Sequence, residues 1–337
     1  MKKRHSEPPQ VSHAIPTTFD AIIAGNEGLN PVARGGGPLM LLMKLVVGLL
    51  LLGGVAMIGY PFVLQAVNAF KQASQTQSLE WQMDHKTTEE QRKALVAADQ
   101  YNQQLAQSGQ SIMGDVTDPF DKSIYGGGDH SNTVEVKDKR YQSMLDEGGG
   151  VMGMVIVPKI AVDLPIYHGT SVETMDIGAG HMYGTSLPAG GSSTHTVLVS
   201  HNGLTRSLLF TRLDEMKKGD AFYIHVPGRK MGYRVDRISV IRPDDTSKLK
   251  IEAGADRATL MTCFPYGVND HRLLVQGVRD HSLDKQYPDN FGRLVMSAIM
   301  AVTTAIAVLI IGISIIVIIK YRHPQERPAG HAQKQIS

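Results

Sequence analysis

The sequence predicts a mainly β protein, a closed or nearly closed barrel carried on a helical stalk and set between two membrane-crossing helices. Three observations predict it. Seven short β-type runs separated by turn residues fill the chain from Val151 onward, a polar Gln-rich stretch with helical spacing precedes them, and two strongly apolar blocks flank both. The 337 residues include 34 Lys and Arg against 32 Asp and Glu, a formal balance of +2. That near-neutrality argues against dedicated nucleic-acid binding. A mean hydropathy of −0.12 looks soluble only because it averages over the two blocks.

Residues 1–38 contain Pro8-Pro9 and Gly35-Gly36-Gly37 with little apolar content, and read as a disordered N-terminus. The first block, residues 39–60, runs from Leu39 to Tyr60 with Lys44 as its only charge. It is close to the ~20 residues a helix needs to span hydrocarbon, and Lys44 lies near one end, where it can snorkel. A cleaved signal peptide fits less well, because a long segment precedes the block and no small-x-small site is evident before Pro61. The second block, residues 294–319, carries no charge and leads into a basic tail, residues 320–337, with Lys320, Arg322 and Arg327. Lys2, Lys3, Arg4, Arg34 and Lys44 sit at the outer end of the first block. The positive-inside rule then places both termini in the cytoplasm and Pro61 to Arg293 outside the cell membrane.

Residues 61–110 read as a helical stalk. Thr87-Thr88-Glu89-Glu90 makes a capping box, and Ala94, Ala98, Tyr101 and Leu105 form one apolar stripe. Residues 111–150 read as a flexible loop punctuated by Asp118-Pro119-Phe120, Gly126-Gly127-Gly128 and Gly148-Gly149-Gly150. The barrel occupies residues 151–282. Its runs are Val151–Val157, Val162–Tyr167, Thr196–Ser200, Ala221–Val226, Tyr233–Ile241, Ala258–Cys263 and Leu273–Val278, with a helix expected over Ser207–Lys218 ending at Gly219.

Cys263 is the chain's single cysteine. It excludes an intrachain disulfide framework, a multi-cysteine zinc site and an iron–sulfur cluster, and leaves the thiol as a small buried group or a reagent. Its position is informative. Cys263 closes one β run and is followed at once by Phe264-Pro265-Tyr266-Gly267, so it stands where a strand gives way to a loop. Arg272 opens the next run, and a hairpin is the simplest way to bring it beside the thiol; His201 ends another run ahead of Asn202-Gly203. Three strand ends thus offer a nucleophile, an acid/base and a fixed cation. A neighbouring imidazolium or guanidinium favours the thiolate, and the forked donors of an arginine suit an oxyanion. Among the 13 histidines His271 competes with His201, but in a strand it points opposite to Arg272. His168, His181 and His195 show no i, i+4 metal pair and read as turn or core residues.

Thr259-Leu260-Met261-Thr262-Cys263, Asn269-Asp270-His271-Arg272 and Val199-Ser200-His201-Asn202-Gly203-Leu204 closely resemble the sortases, the cysteine transpeptidases of Gram-positive surfaces. Ile156-Val157-Pro158-Lys159-Ile160, Leu164-Pro165-Ile166-Tyr167-His168-Gly169-Thr170, Gly178-Ala179-Gly180-His181, Thr185-Ser186-Leu187-Pro188, Leu209-Phe210-Thr211, Pro243-Asp244-Asp245-Thr246 and Pro265-Tyr266-Gly267-Val268 resemble class C, the pilin-polymerising subgroup. The resemblance runs from about Tyr60 to Arg279 and extends to the two-span topology. Two departures touch substrate detail: Ser200-His201-Asn202 stands in place of the more usual Gly-His-Arg, and Asp270 where Thr or Ser is common.

The resemblance implies an eight-stranded sortase-type β-barrel, and an activity without metal or organic cofactor. Cys263 would cleave LPxTG-like sorting signals between Thr and Gly and form a thioester that an amine resolves. His201 would pair with the thiolate and protonate the leaving amine, and Arg272 would hold the substrate backbone and oxyanion. Asp118 and Phe120 would form a lid, the acid paired with Arg272 and the ring over Cys263. The implied partners are pilin or surface-protein precursors, an amine acceptor that is a pilin lysine or cell-wall precursor, and the lipid bilayer. A housekeeping sortase that anchors surface proteins to peptidoglycan precursor is the alternative, and a non-catalytic membrane receptor requires an inert Cys263.

Overall fold

The computed structural model describes residues 38–110, 120, 134–202, 209–289 and 291–322. The expected disordered N-terminus, Asp118, the Gly126-Gly127-Gly128 joint and the end of the basic tail lie outside the described residues. The chain divides into two units, residues 1–59 and 60–337. The described part of the first is helical, the opening of α1 (Pro38–His85). In the second unit α1 runs on to His85, and α6 (Phe291–Arg322) covers the second apolar block. Counted over the described residues, no helix is long and apolar enough to cross a membrane. Membrane crossing by residues 39–60 and 294–319 is therefore not a finding of the structure.

The barrel is the body of the second unit. Eight strands, β1 (Val151–Val157), β2 (Val162–His168), β3 (Ala179–His181), β4 (Thr194–Val199), β5 (Ala221–Val226), β6 (Arg229–Ile241), β7 (Asp256–Phe264) and β8 (His271–Arg279), close in the order β1-β2-β3-β4-β7-β8-β6-β5. Pairing of β1 with β5 completes the ring, which leaves no open edge. Two neighbour pairs, β2 with β3 and β4 with β7, are parallel, and the others are antiparallel. All seven expected runs are strands. The eighth, β3, is a three-residue Ala-Gly-His segment too short to show alternation.

Alternation along the strands gives the wall two faces. Leu198, Leu260, Leu273 and Val275 belong to the large interior core with Phe222, Ile224 and Tyr233, whereas Val197, Val199, Met261, Leu274 and Ile241 form a second cluster on the outer side of the same wall. Met175 of α5 (Val172–Ile177) covers that outer cluster.

The helix expected over Ser207–Lys218 is corrected by the structure. Residues 203–208 are not described, and beyond them the chain makes turns and a single 3-10 turn over Leu213–Glu215. Phe210, Leu213 and Met216 are buried at a spacing of three, the period of a 3-10 turn, so one tight turn suffices to bury them. The loop expected over residues 111–150 also holds two short helices, α3 (Val134–Lys137) and α4 (Lys139–Gln142), the latter capped by Asp138 and anchored by the fully buried Tyr141.

The stalk helix α2 (Thr88–Gln107) starts at the expected capping box, with Thr87 and Glu90 exchanging side-chain and backbone hydrogen bonds. Ala98, Tyr101 and Leu105 enter the barrel core, and Asn102 docks them: its Nδ2 donates to the Leu187 carbonyl at 3.1 Å and its Oδ1 accepts from the Leu187 N–H at 2.7 Å. Asn102→Ala would orphan both backbone groups. Each such loss costs about 1–3 kcal/mol, so the variant should unfold at a clearly lower temperature, as thermal unfolding of the full chain in detergent will show.

The end of α1 packs Leu79 and Met83 onto Met154 of β1, and Thr76 donates to Asp163 at 3.3 Å. Burial pushes the Asp163 carboxyl from 3.8 to about 7, and its Oδ1 has no hydrogen-bond partner among the described residues. A carboxyl whose folded pKa is raised contributes its stability at low pH and loses it as pH rises toward 7. Asp163→Asn should therefore gain thermal stability relative to wild type between pH 5 and pH 8, and a gap independent of pH would show that ionisation of Asp163 is not what is relieved.

Candidate active site

Two strand pairings assemble the site. In the antiparallel β7–β8 hairpin Cys263 lies directly opposite Arg272. In the parallel β4–β7 pair Val199 lies opposite Met261, and the same register carried past the end of β4 brings His201 to Cys263. Three hydrogen bonds hold that continuation: the Ser200 N–H donates to the Met261 carbonyl at 3.2 Å, Thr262 Oγ1 donates to the Ser200 carbonyl at 2.8 Å, and Asn202 Nδ2 donates to the Cys263 carbonyl at 3.0 Å. His201, Cys263 and Arg272 thus stand in a row across three neighbouring strands, on the side of the wall occupied by Met261, Leu274 and Val199.

Burial shapes the chemistry. Cys263 is 6% exposed and Arg272 4%. A buried guanidinium needs partners, and Arg272 Nη1 donates to the carbonyls of Asn269 at 2.9 Å and His271 at 2.7 Å. Asn269 makes this turn possible by adopting φ +62°, a left-handed conformation that asparagine tolerates better than most residues. The cation is fixed by the same hairpin turn that places it beside the thiol.

His201 is half-buried, with Asp176 of α5 at 3.5 Å from its Nε2. Burial lowers the imidazole below its usual range, and the Asp176 charge pulls the other way. The Phe120 ring lies against two of the three, its centroid 4.9 Å from the Arg272 guanidinium carbon and 5.6 Å from the His201 ring centroid, and it packs on the outer-wall cluster. Arg272 and Phe120 are thereby in cation–π contact.

His271 faces away from the row. It is half-exposed and its Nδ1 meets Asp270 at 2.8 Å. His168, His181 and His195 each have both ring nitrogens engaged: with the carbonyls of Gly150 and Met144, with Tyr141 and the Ser186 carbonyl, and with the Lys250 carbonyl and Thr259. Burial pushes His181 down to about 4, as befits a neutral core histidine. Among the described residues no group of His, Cys, Asp and Glu could hold a metal ion.

Two neighbours were not evident in the sequence. Asn202 reads there only as a turn residue, and Asp176 sits in a helix whose one local signal is the Ser171 cap. Neither residue type nor spacing links Asp176 to His201, which lies on a different element.

Residues 155–280 match the family model described as the sortase domain. The fold is similar to that of the pilus-related sortase C of group B Streptococcus, at 38% identity over 62% of this chain and 98% of that one, with a TM-score of 0.53. Over 155 residues the chain is 28% identical to sortase D of Bacillus subtilis, covering 45% of this chain and 74% of that protein. Against sortase A of Streptococcus agalactiae it is 30% identical over 117 residues, 34% of this chain and 47% of that protein.

The ring against Arg272 sets one expectation. A cation–π contact at a partly buried site is worth about 1 kcal/mol, so Phe120→Ala should raise the rate at which iodoacetamide labels Cys263 about five-fold. With no other cysteine in the sequence, mass spectrometry reads that rate directly.

Proposed function

The chain belongs to the sortase family of cysteine transpeptidases, and from this we propose that it cleaves LPxTG-like sorting signals between Thr and Gly and passes the acyl group to an amine, a pilin lysine in pilus assembly. The observation that carries the reading is the row of His201, Cys263 and Arg272 on adjacent strand ends.

In this reading the Cys263 thiolate attacks the threonine carbonyl, forming the S–C bond while the developing oxyanion is met by Arg272. The C–N bond then breaks, and the leaving glycine amine takes its proton from the His201 imidazolium. The incoming amine attacks the thioester, gives its proton to His201 and expels the thiolate. Every group returns to its starting state, and no cofactor enters.

Asp118 and Phe120 would act as a lid. The contacts of Phe120 with Arg272 and His201 support that role, and Asp118 enters it only through its place in the Asp118-Pro119-Phe120 motif. Anchoring of both ends in the cell membrane, with the barrel outside, rests on the two apolar blocks and their basic flanks. The similarity to a pilus-related sortase C over 98% of its length favours pilin as the substrate. The 30% identity to a sortase A supports the second reading, anchoring of surface proteins to cell-wall precursor.

Incubation of the full chain in detergent with a sorting-signal peptide and hydroxylamine should release the C-terminal fragment and yield a Thr hydroxamate. Cys263→Ala should abolish both while unfolding at nearly the wild-type temperature. Hydroxamate formation by Cys263→Ala would remove Cys263 from the mechanism. A pilin-derived lysine acceptor that outcompetes a peptidoglycan-type amine would decide between the two substrate readings.

A further inference from the structure

We propose that Asp176 is a positioning residue for His201, its carboxylate holding the imidazole through Nε2 in the orientation and charged form that acid catalysis needs. The proposal rests on the transpeptidase reading and adds to it a fourth residue, on an element that none of the three others occupies.

The geometry is built rather than incidental. Helix α5 is fixed at its start by Ser171, whose Oγ accepts from the Thr174 N–H at 3.3 Å, and in its middle by Met175, fully buried against the outer-wall cluster. Just past its end Gly178 packs so tightly that a Cβ would stand 2.6 Å from the Pro165 carbonyl oxygen. The Gly178 carbonyl in turn accepts from Ser200 Oγ at 2.7 Å. Ser200 precedes His201, and Gly178 lies two residues after Asp176, so one hydrogen bond ties the two backbones that carry the pair. The resulting Nε2 to Oδ1 distance is 3.5 Å, within ion-pair range and of the looseness common before substrate binds.

The charges around the imidazole point the same way. Among the described residues the groups set toward it are Arg272 and Cys263 from β8 and β7, the uncharged ring of Phe120, and Asp176 from α5. Burial opposes an imidazolium; the Asp176 carboxylate favours one. Asp270 is engaged with His271, which faces away from the row. With Nε2 held by Asp176, Nδ1 is the nitrogen that exchanges its proton with the thiol and the leaving amine.

The test compares wild type, Asp176→Asn and Asp176→Glu in the full chain in detergent, with 13C-labelled histidine and the His201 signal identified by its loss in His201→Gln. In Asp176→Asn the His201 titration should move to lower pH, and in Asp176→Glu it should return toward wild type. The kcat for cleavage of a sorting-signal peptide should fall roughly 2–5-fold in Asp176→Asn, the range expected for a partly exposed ion pair, with KM unchanged and with recovery in Asp176→Glu. An unmoved His201 titration in folded Asp176→Asn overturns the proposal. So does a loss of activity shared by both variants with no change in titration, the mark of a purely structural role. A His201 titration that shifts in Asp176→Asn, together with a wild-type chain that cleaves no sorting-signal peptide, would uphold the ion pair and overturn the transpeptidase reading instead.

Discussion

The site depends on the pairing register of three strands, β4, β7 and β8. Side chains alternate across a sheet, so a slip of one residue would turn Cys263 into the barrel interior and present His271 where Arg272 now stands. Both faces of the wall oppose such a slip. Leu198, Leu260, Leu273 and Val275 would leave the interior core, and Val199, Met261 and Leu274 would leave the outer cluster. Polar ties add to this, since His195 Nε2 meets Thr259 Oγ1 at 2.7 Å across β4 and β7. Two apolar layers, one on each side of a single sheet, therefore fix the spacing of three polar groups that themselves contribute little to holding the strands together.

Placing the row on the outer wall sets its electrostatics. At a partly desolvated position a charge interacts more strongly with its neighbours and costs more to leave unpartnered. Arg272 meets that cost with carbonyls from its own turn and with the face of Phe120. His201 meets it with Asp176. Among the described residues the two differ in kind: the partners shown for the permanent cation are backbone dipoles and a ring face, whereas the imidazole, a group able to gain and lose a proton, sits beside a carboxylate that favours its charged state.

Much of the barrel was legible in the sequence because its strands are short, apolar and bounded by turn residues. The Cys263–Arg272 pair was legible because a hairpin makes neighbours of residues close in sequence. His201 was legible as a strand end, while its approach to Cys263 depends on a parallel pairing across 62 positions that no local pattern reveals. β3 escaped because three residues cannot show alternation, and the segment before Gly219 reads as an α-helix because a glycine that stops a helix equally ends a tight turn. The short helices α3 and α4 lie in a stretch whose flanking glycines read as loop. Asp176 was invisible for a different reason: its role is a contact between elements, and nothing in its own helix calls for an acid.

Phe120 connects the two halves of this chemistry. In the proposed reaction a thioester must survive in water long enough to meet an amine, and a cysteine that is 6% exposed, with an aromatic ring against the Arg272 that pairs with it, is poorly placed to meet bulk water. If Arg272 holds the substrate carbonyl as proposed, that carbonyl and the Phe120 ring compete for the same guanidinium. In that reading, substrate binding exchanges one set of contacts on Arg272 for another, and the energy needed to displace the ring is offset where the substrate's own charge develops. On the proposed mechanism, a ring that rests on Arg272 gives way most readily to a ligand that Arg272 recognises, which would make selection of the substrate and protection of the thiol two consequences of one contact.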